Sequence, residues 1–510
     1  VTYRLLAAFF AALVIATLPA RAETVRWGRS GDAATLDPHA AADAMTAQLV
    51  RNIYEPLVER GPDGSITGKL AASWLVPADD PNVWMFNLRQ AVFHDGSAFD
   101  ASDVVFSFDR ARAQGSALRD KLSGITAVRA LDARSVAIRF ADPSPILPAV
   151  ISDVPIMDGE WAKANGIADA RAPGEGDEPH SERNANGTGP YRLESRDPDV
   201  RTVLVANERY HSALPAAEKV VYLPIVNPAM QATALLWGEI DVLQDVAISD
   251  IERLREADDI SVETGPANNV LYLGYRFGSP DMEGDDRNAG NPFDNPKVRE
   301  AIDLAIDRSE AAEFADRGHA EPTAILAPPF VNGWSKGLAI EVVPDRERAK
   351  ELLAEAGYPD GFAVKLDAAN GDAAVANRIS TMLARIGIWA DVMTRPRVAH
   401  EAHVASGASE FHLADYSAPG YDSAAILEWL VDGHEGYENA ALKARIEALS
   451  TITNRSERNR EIAEIWLEAQ EERIMLPIAQ RHIAHAMRDT ISVAVDPNNQ
   501  MRFEAIRFND

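Results

Sequence analysis

Cysteine is absent from all 510 residues, which excludes disulfides, thiolate metal sites, a cysteine nucleophile and a lipid-modified amino terminus. Positive charge is scarce: 50 Lys and Arg stand against 78 Asp and Glu, a formal net charge of -28. Nucleic acid, which needs a basic footprint, is therefore a poor partner. Long apolar runs are missing too, apart from Leu5 to Leu18. That run follows Arg4, is too short for a membrane span, and precedes Ala20-Arg21-Ala22, the small-x-small pattern of a signal-peptidase site. Residues 1-22 are accordingly expected to be a cleaved leader. The mature chain would begin at Glu23, two charges more negative, as a soluble periplasmic protein without a lipid anchor. There is no phosphate-cradling Gly-x-x-x-x-Gly-Lys loop.

What is present is globular: 46% hydrophobic and 25% charged residues, in a chain long enough for two or more packed units. Local signals are clear in places. Asp95-Gly96 predicts a tight turn, and Asp100 is placed to cap a helix carrying Val104, Val105 and Phe108. Trp84, Phe86 and Leu88 alternate as on a half-buried strand. Asn295-Pro296 predicts a capped helix with Val298, Ala301, Ile302, Ala305 and Ile306 on one face. Asp345 is placed to cap another, with Ala349, Leu352, Leu353 and Ala356 buried and Gly357 at its stop.

Several of these stretches fall in a recognisable order: Leu36-Asp37-Pro38, Phe93 to Ser107, Gly187-Thr188-Gly189-Pro190-Tyr191, Gly238-Glu239-Ile240-Asp241-Val242, Asn295 to Arg308, and Ala349 to Phe362. Together they resemble the extracytoplasmic solute-binding proteins of family 5, which deliver peptides, nickel complexes, opines or sugars to ABC importers. The resemblance implies an α/β, two-lobed periplasmic binding protein fold (type II, cluster C) with an extra subdomain in lobe I. It implies residues 23-52 and 186-265 as lobe I, 53-185 as the subdomain, 266-477 as lobe II and 478-510 as the return to lobe I. Its partners would be a small solute, most readily peptide-like, and an inner-membrane ABC permease, with no cofactor and a monomeric state. A saccharide, an opine or a metal chelate on the same fold is the alternative.

The resemblance also places a ligand-lining stretch at Phe411 to Asp422. Here Asp415 stands at the family's usual Gly, Tyr416 at its Trp, and Pro419 at the Asp that meets the amino terminus in peptide binders. Asp415 either replaces that carboxylate, meeting a cationic group, or is solvated; Tyr416 either floors the pocket or packs in the core. Ser417, Tyr421 and Asp422 complete the stretch. Leu36 belongs to the turn that relatives place beside the ligand. Asn268, Tyr272 and Tyr275 lie on the first crossover, where alternation sends the two tyrosines to opposite faces. Arg395 and Arg397 are candidates for a ligand carboxylate, against the default of solvated loop arginines. Trp389 reads as a structural strand residue.

A different class, a secreted metal-dependent hydrolase, would rest on His400 and His403 with His412 nearby, or on His482 and His485. Neither pair carries the Glu of a His-Glu-x-x-His helix. Asp281, Glu283, Asp285 and Asp286 alternate like calcium ligands without the full loop pattern.

Overall fold

In the computed structural model the described residues are 23–278, 290–339, 342–418, 420, 422–433, 436–452 and 454–509. Residues 1–22 and the acidic run from Asp281 to Asp286 lie outside them, as do Pro419 and Tyr421. The strands, in chain order, are β1 Thr24–Arg29, β2 Val58–Arg60, β3 Ile66–Gly68, β4 Ala71–Leu75, β5 Val83–Leu88, β6 Ile125–Asp132, β7 Ser135–Phe140, β8 Tyr191–Asp197, β9 Arg201–Ala206, β10 Lys219–Pro224, β11 Val242–Leu243 and β12 Ile260–Tyr275. They continue with β13 Glu321–Pro322, β14 Phe362–Ala369, β15 Ile388–Arg395, β16 Phe411–Tyr416 and β17 Met475–Arg488.

Two long strands organise the molecule. β12 and β17 run antiparallel along each other in the middle of one continuous sheet. Beyond β17 lie β11, β1, β10, β9 and β8; beyond β12 lie β16, β14 and β15. The pairing breaks between Pro266 and Val270, where register slips. Backbone carbonyls freed there need donors. Gln480 supplies them, its Nε2 donating to Ala267 O at 2.7 Å and Asn269 O at 3.0 Å. Ile260, before the slip, and Val270 and Leu271, after it, pack into different cores.

Each side has its own core. Trp27, Leu49, Ile53, Tyr191, Tyr222 and Phe503 pack together in lobe I; Leu271, Leu273, Ile302, Leu366, Ile379 and Phe411 do so in lobe II. A third core, with Phe86, Phe93, Phe108 and Ile138, sits under the separate sheet β4-β5-β7-β6. The helix Ala101–Arg112 covers that sheet and begins as its sequence predicts, with Asp100 and Asp103 forming a reciprocal capping box. Before it, Gly96 turns at φ +98 and Asp95 Oδ1 accepts from Ser97 N at 2.9 Å. The turn docks on the stretch around Gly187: His94 N donates to Gly187 O at 2.9 Å and Asp95 N to Asn186 Oδ1 at 3.1 Å. Asn295 and Asp345 cap the helices Pro296–Ala305 and Arg346–Glu355, as expected.

Candidate functional site

In open parallel sheets, ligands bind outside the carboxyl ends of the strands. Lobe II presents that edge with three parallel strands, β14, β15 and β16, and lobe I with β1, β10 and β11. Where the lobes face each other lies a cavity of about 320 Å³. Lobe I contributes Pro38, the helix Ala44–Ile53 through Ala47, Val50 and Arg51, and the β2 residues Glu59 and Arg60. The first crossover contributes Asn268 and lobe II contributes Ala418.

Asn268 is the predicted residue that falls in this cavity. Its backbone N–H donates to Pro497 O at 3.0 Å. Its Nδ2 donates to Ala418 O at 3.0 Å and Asn498 Oδ1 at 3.2 Å, which uses both hydrogens and fixes the amide's orientation. Oδ1 is left buried with no partner, an acceptor beside the cavity that a bound N–H would satisfy. The lining charges balance: Arg51, Arg60 and Lys121 against Glu59, Asp153 and Asp496. Arg51 Nη1 donates to Gln500 O at 2.5 Å. Arg60 lies 3.2 Å from Asp153, which Lys121 also meets. Tyr54 is the single aromatic in the lining and is fully buried.

The stretch from Phe411 departs from what the sequence suggests. Asp415 is bound by the protein's own cations: Arg481 Nε donates to Oδ1 and Arg397 Nη1 to Oδ2, each at 2.5 Å. Arg481 also reaches Asp316 and Asp372 at 2.5 Å. Three carboxylates therefore share two guanidiniums, one negative charge in excess. Burial pushes the Asp316 carboxyl up; Arg481 pulls it back, while Asp415 and Asp372 add to the rise. Burial opposes the Arg481 charge, but the three carboxylates raise its pKa above the ordinary value.

Tyr416 is buried against Trp429, ring centroids 4.2 Å apart, within the lobe II core. Ser417 is exposed at the end of β16. Asp422 is committed elsewhere: Arg458 grips both its oxygens at 2.6 Å and Oδ1 caps the helix Ser423–Asp432. Arg395 pairs with Asp367. Leu36 is fully buried in the lobe I core, because its neighbour Asp37 is drawn inward onto Arg110; Pro38 faces the cavity instead.

The crossover tyrosines do point apart. Tyr275 stacks on Phe411 at 5.7 Å inside the core, whereas Tyr272 meets His412 and Trp429 edge-on. A second cavity, of about 440 Å³, lies in lobe II alone and is lined by Tyr272, Arg397, His400, Asp415 and Trp429. Trp389 lies on β15 but is 62% exposed, so it is no core residue.

The histidine pairs do not converge. His400 is buried, with Nε2 on Leu413 O at 2.8 Å, while His403 turns to Asp367. His482 and His485 are on strand β17, where residues three apart face opposite sides. Among the described residues no group of three His, Asp or Glu side chains is arranged to hold a metal ion.

Sequence reasoning missed Arg51, Arg60, Lys121 and the hub Arg481, which belong to no motif. The run Asp496-Pro497-Asn498-Asn499-Gln500 was legible as a polar, turn-forming stretch beside the return crossover, and Asn498 and Gln500 line the cavity.

A two-lobed α/β architecture with a cavity between its lobes is that of a binding protein. The family model for bacterial extracellular solute-binding proteins, family 5 Middle, matches residues 65–438, and the chain belongs to that family. Its members are solute-binding proteins rather than enzymes. The glutathione-binding protein GsiB of Salmonella paratyphi A is 27% identical over 407 residues, 77% of this chain and 73% of GsiB. Among solved structures, the periplasmic binding protein DppA from Helicobacter pylori, in complex with the peptide STSA, superposes with a TM-score of 0.69 at 22% identity, covering 96% of this chain and 98% of DppA. NikA from Brucella suis in complex with Fe(III)-EDTA gives 0.76 at 21% identity, covering 95% and 100%. No helix among the described residues is long and apolar enough to cross a membrane.

Proposed function

We propose that this chain captures a small peptide-like zwitterion in the interlobe cavity and presents it to an inner-membrane ABC permease. The carrying observation is the cavity's charge balance, three cations against three carboxylates in a chain of net charge -28. Such a wall suits a molecule bearing both signs. It has no exposed aromatic platform on which a sugar ring would stack, which disfavours the saccharide alternative. The volume lies within the range of small-molecule sites, and the unpartnered Asn268 Oδ1 asks for an N–H donor. The binding of glutathione and of a peptide by the relatives above points the same way.

In this reading Asn268, with Ala418 next to Ser417, contacts the solute directly. Asp415 acts at one remove, through the negative excess of its cluster on the lobe II edge. Residues 23-52, 186-265 and 478-510 form lobe I, 53-185 its subdomain and 266-477 lobe II, except that Ile53, Tyr54, Met157, Ala162 and Ile167 pack in the lobe I core and Ile478 and Ala479 in that of lobe II. The leader is cleaved, and the mature protein works in the periplasm as a monomer.

Ala47→Trp tests the site, because it adds an indole from the cavity-facing side of a helix without removing a hydrogen bond. Titration calorimetry with glutathione and with di- and tri-alanine should show binding to the wild type and its loss in the variant. Unchanged affinity in Ala47→Trp, or binding of neutral sugars alone, would overturn the proposal.

A further inference from the structure

The hairpin β2–β3 belongs to the subdomain, since Val58 packs in its core. Its turn, Gly61-Pro62-Asp63-Gly64, is held by Gly61 N donating to Ser65 O at 2.8 Å and Ser65 N to Asp63 Oδ1 at 3.0 Å. Glu59, Arg60 and Gly61 line the interlobe cavity on one side. At the tip, Gly64 adopts φ +76, and a Cβ built on it would lie 2.2 Å from the carbonyl oxygen of Phe330. Phe330 is part of the lobe II core. Two residues on, Asn332 is bridged to Asp422, so this loop is braced against the segment that follows Ala418. The hairpin thus spans the cleft, and its tip rests backbone against backbone on the opposite lobe. A side chain there cannot be absorbed by a rotamer change, because the obstacle is main chain.

We propose that the Gly64–Phe330 contact is the stop that sets the interlobe gap, making position 64 a determinant of the size of solute the cavity retains. The inference rests on the cavity being the solute site, but the stop itself can be read without any ligand. The chain has no cysteine, so spin labels at Leu131→Cys on the subdomain and Val398→Cys on lobe II, both exposed, report the lobe separation cleanly by pulsed electron resonance.

Gly64→Asn is the test, because asparagine tolerates positive φ and the added Cβ still meets Phe330. Gly166→Asn is the control: φ is +72 there and nothing lies within 4 Å of the added Cβ. The label distance should lengthen in Gly64→Asn and in Gly64→Ala, and stay at the wild-type value in Gly166→Asn. Di-alanine should then bind about tenfold more weakly to Gly64→Asn than to wild type, with a smaller loss for penta-alanine. Equal distances in all variants, or the same lengthening in Gly166→Asn, would overturn the stop. Ala47→Trp separates this from the site itself: intact binding there would sink the cavity while leaving the label distances to judge the stop.

Discussion

Two carboxylate–guanidinium centres lie near the cleft, one in each lobe, and they are built on opposite principles. In lobe I, Arg110 grips Asp37 with both nitrogens, at 2.8 and 2.5 Å, one charge against one, and both side chains are buried. His39 completes the centre: its Nδ1 accepts from Arg110 at 3.1 Å, because arginine can only donate, so Nε2–H donates to Pro155 O at 2.9 Å. In lobe II, Arg481 and Arg397 answer three carboxylates and Arg397 stays half exposed. A balanced, dry pair locks a turn onto a helix, and its removal strands a buried charge. An unbalanced, partly wet cluster is left wanting a cation. The first fixes the turn that carries Pro38 into the cavity wall; the second keeps an uncompensated charge on the lobe II edge.

The largest break in this contrast comes from Asp37→Asn, which leaves Arg110 buried and unpaired. It should cost about 3 to 5 kcal/mol of stability in urea unfolding. The pair also has a pH signature. Burial raises the Asp37 carboxyl, but hydrogen bonds and charge from Arg110 outweigh it and hold the pKa below the usual value. Its contribution is therefore complete above the ordinary carboxylate range and is lost as pH falls through the lowered value. The gap between wild type and Asp37→Asn should close in strong acid.

His39 supplies the next effect. Burial, reinforced by Arg110, pushes its pKa down to about 4. The folded state then binds fewer protons than the unfolded one, so stability is full above about pH 6.5 and falls as pH drops towards 4. The loss should approach about 3 kcal/mol over that window. Comparing unfolding at neutral and mildly acidic pH for wild type and His39→Gln should show the variant with the shallower slope.

In lobe II the corresponding substitution should be mild. Asp415→Asn removes the excess negative charge and leaves two carboxylates for two guanidiniums, so folding stability should change by less than about 1 kcal/mol. Calorimetry should instead record weaker binding of a cationic peptide such as Lys-Ala, by about 1 kcal/mol, with di-alanine less affected. A stability loss as large as that of Asp37→Asn would erase the distinction between the centres. The smallest effect has the opposite pH sign to Asp37. The raised pKa of Asp316 makes its ionisation unfavourable in the folded state, so stability from this group declines as pH rises past the ordinary carboxylate value. Asp316→Asn should be slightly stabilising at neutral pH, and that gain should vanish on acidification.

Much of the framework was readable in the sequence because it rests on local rules. Asp100, Asn295 and Asp345 cap helices through neighbours a few residues away, and alternation correctly parted Tyr272 from Tyr275. The site was less legible because its geometry depends on partners far along the chain. Asp415 and Arg481 are 66 residues apart, Asp422 and Arg458 36 apart, and nothing local in Phe411 to Asp422 says that both carboxylates already have arginines. Leu36 misled for a related reason: the pull of Arg110 on Asp37 turns the motif's apolar residue inward. Asn268 falls at the cavity because it lies in the register slip between Pro266 and Val270, at the crossover.

The claim at the centre is that the solute sits between the lobes and not in the lobe II cavity behind β16. Hydrogen–deuterium exchange of the wild type with and without saturating glutathione compares the two directly. Protection should rise along the helix Ala44–Ile53, around Asn268 and across residues 496–500, with little change from His400 to Ser409. Protection confined to 400–409 and the neighbourhood of Trp429, with the interlobe segments unaltered, would contradict it.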